Sequence, residues 1–329
     1  MRNRKILIIG LLMVGLLALC SFFAGCKNED EDEEDDINPQ LKIIEGFDLN
    51  NYPKADGSTS AYSLNVLIAC KLLGIKHQWV QDSYLGWNIE PVLKSKKNSQ
   101  RFAELVKSSQ THNSFINLID KKADIILSAR KMSPSEKTYA DAAGVSLIET
   151  PIALDAFIFI INPYNPLTSL TINQIQNIYT GKITNWNEVG GEAFPIQPYV
   201  RNRDSGSQEV MESLVMKDLD ITEFPVSWEV VHSMTGAFEA VKGDNNGICY
   251  TFYYYREYVL KELEVKSLAI EGIYPNKESI NNNTYPLATE VYAVILSDLD
   301  KSSTAYKLYE FLQTEKGKEV INESGYLPN

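Results

Sequence analysis

PIQPYVRNRDSGSQE, residues 195–209, decides how this chain is read. An apolar-leaning run, PIQPYV, leads into the polar turn RNRDSGSQE, and VMESLVMKDL follows as an expected helix. The turn packs Arg201, Arg203, Ser205, Gly206 and Ser207 between an expected strand and that helix. Such a junction leaves the first amide N–H groups of the helix without partners, and the helix dipole draws anions to them. In a chain of net charge -12 the stretch is either a well-capped helix start or one wall of an oxyanion site.

The same grammar recurs upstream. DGSTS (56–60) opens a helix whose buried face is expected at Leu64, Leu67, Ile68, Cys70 and Leu72, and THNS (111–114) opens another, NSFINLIDKK. LKIIEG (41–46) reads as a strand, as does ADIILSA (123–129). SLIETPIALDAFIFII (146–161) reads as two successive strands, the second apolar enough to be buried on both faces. TINQIQNIYTG is a helix stopped by Gly181. NGICYTFYYY (246–255) and LATEVYAVIL (287–296) are strands, separated in part by the polar loop PNKESINNNTYP, and the segment from 303 to 328 supplies closing helices. Strands alternating with helices predict a largely parallel sheet in each of two lobes, with ligands taken where helix N-termini meet the carboxyl ends of strands. A lone serine at a helix start is ordinarily an N-cap contributing about 1 kcal/mol. The recurrence of the pattern, once with arginine directly upstream, points further.

Composition sets the limits. With 329 residues and 44% hydrophobic content, the chain can build two modest cores. The acidic balance excludes a nucleic-acid partner, which requires a basic face. An anion would have to be held by a local set of oriented donors. MRNRK followed by ILIIGLLMVGLLALCSFF is a basic start and an apolar run, either a cleaved leader or an uncleaved anchor. Phe23-Ala24-Gly25-Cys26 resembles a lipobox, which implies cleavage before Cys26 and a lipid on its thiol, with Phe23 departing from the usual leucine. Residues 1–25 are then a signal peptide. The acidic run of residues 26–40 is a solvated tether that lacks the glycine and ligand spacing of a calcium loop. Cys70 and Cys249 are expected as buried free thiols, with a disulfide as the alternative. Three histidines without zinc spacing give no metal set, and no cofactor motif is present. His77 and His232 are expected at the surface, and Trp186 is expected to pack a loop.

Taken in order, DGSTSAY, ADIILSARKMSPSE, GKITNWNEVGG, PIQPYVRNRDSGSQE, NGICYTFYYY, YPLATEVYAVI and SGYLPN resemble the phosphate-type substrate-binding proteins of ABC importers, from about residue 43 onward. The resemblance implies an α/β protein of the type II periplasmic-binding-protein fold, two lobes joined by two crossing strands near ETPIAL and YPLATE. Lobe 1 would comprise 41–153 and 286–329, and lobe 2 would comprise 154–285. The family's oxyanion shell then falls on Thr59 and Ser60, on His112, Asn113 and Ser114, and on Arg201, Ser205, Gly206 and Ser207. Arg130 is either a further ligand contact or a salt bridge. Where the family often places acidic acceptors for the proton of hydrogen phosphate, this chain has Ala129 and Arg203, which leaves Asp56 or Asp204 as substitutes. The implied function is capture of phosphate or a similar oxyanion for an ABC permease and its ATPase, without chemistry and without cofactor, on the extracytoplasmic face of the cell membrane. Sensing or adhesion without transport is the alternative. A serine hydrolase or phosphatase on Ser205 or Ser207 lacks the GxSxG frame and an activating base.

Overall fold

The computed structural model describes residues 36–82, 86–202, 205–217, 219 and 229–329. The leader, Cys26, the tether up to residue 35, Arg203 and Asp204 lie outside the described residues. A nine-stranded sheet organises the chain, with the main path running Ala55–Gly57, Ile125–Ser128, Ala288–Leu296, Leu147–Ile161, Gly247–Phe252, Gln197–Arg201, Glu229–Val231. The first pair is parallel, as are the pairs made by Gln197–Arg201 with its two neighbours. The two long strands between them run antiparallel to each other and to the strands they border, so the sheet is mixed where parallel strands were expected.

The stretch expected as two strands is one, Leu147–Ile161. Pro151 has no N–H to give a ladder. The strand absorbs this with a bulge of its own: Val291 stands opposite Ala153 and Tyr292 opposite Pro151, so Ile152 is the extra residue. Pairing then resumes on both sides, and the strand carries the chain from one half of the sheet to the other. From Ala156 to Ile161 it is wholly buried, with Phe157 and Phe159 packed on Tyr250, Phe252 and Tyr179 at ring separations of 5.3–6.1 Å.

LKIIEG is not a strand. Pro39–Leu41 form a 3-10 turn capped by Asn38, and Ile43 N donates to Lys71 O across 3.2 Å. The tether also ends sooner than expected, because the Asp36 carboxylate accepts from Lys94 N (2.6 Å), Ser95 N (2.9 Å) and Asn98 Nδ2 (3.1 Å), clasping the start of the helix Lys96–Leu105. The polar loop 275–286 contains a short helix, Lys277–Asn281, and the strand expected through Tyr255 ends at Phe252.

Helix Tyr62–Leu73 is buried nearly all round, its apolar residues joined by the buried Ser63 and Asn65, and ends at Gly74 with φ 74°. Cys70 and Cys249 are buried free thiols. The chain's last residues return to the linking strands. Leu327 pairs with Leu154, the Tyr326 hydroxyl donates to Ser60 O (2.9 Å), and the Tyr326 ring stacks on Tyr254 at 3.8 Å. No helix among the described residues is long and apolar enough to cross a membrane.

Candidate functional site

A cavity of about 130 Å³ lies where strand ends and helix starts from both halves of the sheet converge. At about 30 Å³ per water, it holds a ligand of a few heavy atoms. One half contributes Ser58, Thr59 and Ser60 before helix Tyr62–Leu73, and Gln110 and Thr111 at the start of helix Thr111–Ile119. The other contributes Arg201, Ser205, Gly206 and Ser207, from the end of strand Gln197–Arg201 into helix Gly206–Val210 and the π-type turn Met211–Met216 that continues it. His232, Ser233, Met234 and Thr235 form a further wall at the start of helix Met234–Gly243, with Phe252 and Tyr255 as the floor.

The two halves touch at Gly206. A Cβ there would fall 2.3 Å from Thr111 Oγ1, so only glycine lets the two helix starts approach this closely. Thr111 Oγ1 is in turn 3.0 Å from Ser58 Oγ, which accepts from Ala129 N (2.9 Å). Ser205 caps its helix by accepting from Gln208 N (3.1 Å), and Ser233 caps the other by accepting from Gly236 N (2.8 Å). Both hydroxyls keep a proton to donate into the cavity. The amides of Thr59, Ser60, Gly206 and Ser207 are taken up by no backbone acceptor among the described residues.

Arg201 is 6% exposed. Its Nε donates to Val231 O (3.1 Å) and its Nη1 meets the Met234 sulfur (2.9 Å), while its backbone N–H donates to the Tyr250 hydroxyl (2.9 Å). No carboxylate among the described residues pairs with it, and none lines the cavity. Burial pulls its pKa below the ordinary arginine value, with Cys249, Tyr250 and Tyr255 opposing. Burial pushes Tyr255 up to about 12, so it stays a neutral phenol.

Thr59, Ser60, Arg201, Ser205, Gly206 and Ser207 thus meet at one cavity. Four other expected residues do not line it. Asn113 is exposed, and the buried Ser114 hydroxyl donates to Thr111 O (2.8 Å). Arg130 is spent on a buried bidentate pair with Glu136, both N–O distances 2.8 Å, and His112 Nδ1 lies 3.0 Å from the same carboxylate. The reason is helix phase: the cavity sees the turn at 110–111, and the next residues rotate away. Burial alone would raise the Glu136 pKa, but the Arg130 fork, the Ser133 amide and His112 outweigh it and hold it below the usual value. Glu136→Gln would strand Arg130 as a buried charge, and a urea melt is expected to show a loss of about 3–5 kcal/mol. A loss under about 1 kcal/mol, typical of a surface pair, would remove this account.

Asp56 is also occupied elsewhere. Its carboxylate accepts from Gly57 N (2.7 Å), Ser109 N (2.8 Å) and Asn117 Nδ2 (2.8 Å). The sequence reading missed Ser58, Gln110, Thr111 and the whole His232–Thr235 wall. VVHSMTGAFEAV carried the signal, since it repeats the strand, hydroxyl turn and helix of the other walls. His232 is exposed, as expected, yet its side chain borders the cavity.

The mixed sheet is thus split by two linking strands, with a small cavity at the seam and helix starts aimed into it from both sides. Residues 81–315 match the PBP superfamily domain, and the chain belongs to that family. It is 30% identical over 185 residues to the phosphate-binding protein PstS of Borreliella burgdorferi, a match covering 54% of this chain and 65% of that one, just under two thirds of its length. Protein SphX of Synechococcus elongatus is 25% identical over 242 residues, covering 70% of this chain and 71% of SphX. The crystal structure of an ABC-type phosphate transport receptor from Vibrio cholerae superposes with a TM-score of 0.59 at 23% identity, covering 83% of this chain and 98% of that one, and shares the fold.

Proposed function

We propose that this chain is an extracytoplasmic solute-binding lipoprotein that captures phosphate, or a related tetrahedral oxyanion, and passes it to an ABC permease driven by separate ATPase subunits. The observation that carries the reading is Arg201, a buried guanidinium without a carboxylate partner among the described residues, at a cavity sized for a few heavy atoms. A buried cation without a counter-charge is costly, and an anion supplied from outside offsets that cost. Hydroxyls of Thr59, Ser60, Ser205 and Ser207, with helix-start amides, complete a shell of short donors around a tetrahedral ion. Chemistry on the ligand has no role in this reading, because Ser205 caps its helix and Ser207 faces the Met234 sulfur at 3.4 Å, with no base among the described residues hydrogen-bonded to either. The relatives described as phosphate-binding proteins support the same ligand class. Lobes at 41–153 with 286–329 and at 154–285, a lipid on Cys26, and opening and closing about the two linking strands belong to this proposal.

Ligand choice follows from what lines the cavity. A site with a buried acceptor for the ligand's proton rejects an ion lacking that proton by about 10⁴-fold or more. With Ala129 in place of an acceptor and Asp56 engaged elsewhere, sulfate is expected within roughly tenfold of phosphate, about 1.4 kcal/mol. Calorimetric titration of phosphate-free protein with each ion measures this. Exclusion of sulfate would reveal an acceptor beyond these residues, with Asp204 the one to mutate. No heat with either ion would overturn the proposal.

A further inference from the structure

A second cavity, of about 290 Å³, opens at the opposite end of the same strands. Strand Gln197–Arg201 delivers Arg201 to the first cavity, while at its other end Gln197 N donates to Asn246 O (3.0 Å), and Asn246 lines the second. Four strand steps at about 3.3 Å each hold the two some 13 Å apart, so the second cavity is no annex of the first. The GKITNWNEVGG loop, which the anion reading leaves without a role, builds its wall. Trp186 is 2% exposed, its indole N–H donates to Asn246 O (3.1 Å), and its backbone N–H donates to Phe194 O (2.9 Å). The loop is therefore fixed, and it presents Phe194, which is 52% exposed. Tyr164, 86% exposed, stands at the same cavity. These are the two most exposed aromatic rings among the described residues.

The polar groups narrow the ligand. Among the described residues the side-chain amides of Asn245 and Asn246 and the Nδ2 of Asn165 make no hydrogen bond, and Glu192 has no cationic partner. No Lys, Arg or His lines the cavity, so an anion would meet only the Glu192 charge. An organic cation would suit the rings and Glu192, but it would leave the amide N–H groups facing a ligand without acceptors. A neutral polyhydroxylated ring answers every group. Its C–H face packs on an aromatic ring, and its hydroxyls donate to Glu192 while accepting from the amides. At about 30 Å³ per water the volume equals roughly ten waters, the scale of a single such ring.

We propose that this cavity binds carbohydrate, one pyranose ring at a time, either as a free sugar or as the end of a glycan. The full chain is titrated with glucose and with N-acetylglucosamine, followed by intrinsic tryptophan fluorescence, with phosphate titrated in the same samples. Saturable binding of about millimolar strength is expected for at least one sugar, weakened at least about tenfold in Tyr164→Ala. That ring is exposed, so its removal leaves the core and phosphate binding intact. Retention on chitin that free N-acetylglucosamine competes away would assign a glycan end, whereas binding without retention would assign the free sugar. The proposal is overturned by phosphate binding without saturable sugar or chitin binding, by a sugar signal that survives Tyr164→Ala, or by tetramethylammonium binding where sugars fail.

Discussion

Arg201→Ala is expected to weaken phosphate binding by two to three orders of magnitude. Removing one partner of a desolvated charge pair costs about 3–5 kcal/mol, and each 1.4 kcal/mol is about tenfold. The protein itself should hold or gain stability, because the variant removes a buried cation whose only hydrogen-bond partners among the described residues are the Val231 carbonyl and the Met234 sulfur. Arg201→Lys keeps the charge but loses the planar fork, and should fall between the two. Calorimetry gives the affinities and a urea melt the stability. Arg203→Ala, outside the described residues, should cost far less. If Arg201→Ala stays within about tenfold of wild type, the anion is held elsewhere.

The second large effect lies in the long linking strand. Asp155 is fully buried there; its Oδ1 accepts from Ala156 N (2.8 Å) and Tyr254 N (3.0 Å), and its Oδ2 has no partner. Its neighbours are the neutral phenols of Tyr253, Tyr254 and Tyr326, and across the ladder stands Thr289, whose hydroxyl is also unpartnered. Burial pushes the carboxyl up to about 7, against the pull of the two amides. Between the unfolded value of about 4 and this folded value the native state binds the extra proton. Its contribution is therefore full below the unfolded value and is lost as pH rises to 7, by about 4 kcal/mol in all. Glu136 has the opposite sign, its contribution disappearing as pH falls through its depressed value. Asp155→Asn should remove only the first dependence. The stability difference between variant and wild type should then grow in the variant's favour from pH 4 to pH 8, roughly the window set by those two values. A pH-independent difference in paired urea melts would show that Asp155 is charged throughout.

How far the sequence reaches can be judged from particular residues. Helix starts at 59, 111 and 206 were legible because hydroxyls and glycine at a strand–helix junction have few other uses. Arg201 was legible for its place in that turn. Arg130 was not, since the turn into the next helix, which brings Glu136 back onto it from six residues along, decides whether the guanidinium faces a ligand or a buried carboxylate. The segment 146–161 read as two strands, and only its pairing with Val291 and Tyr292, far along the chain, shows the bulge at Ile152 across which one strand continues. The His232–Thr235 wall was written in the same grammar as the others, but its arrival at the cavity depends on the parallel pairing of Glu229–Val231 with Tyr199–Arg201. Local signals name helix starts, and long-range register selects those that converge.

The seam between the two halves is stitched by residues near the end of the chain: Tyr326 on Tyr254 and Ser60, and Leu327 on Leu154. A chain made from its amino end gains these stitches only after Ser60, Leu154 and Tyr254, the residues they join. Contacts spanning that much sequence are slow to form, so the joint on which the cavity depends stays unmade until Tyr326 and Leu327 are available. For a protein proposed to leave the cytoplasm, this order postpones the compact state until residues 326–327 have been added, which keeps everything before them threadable until then.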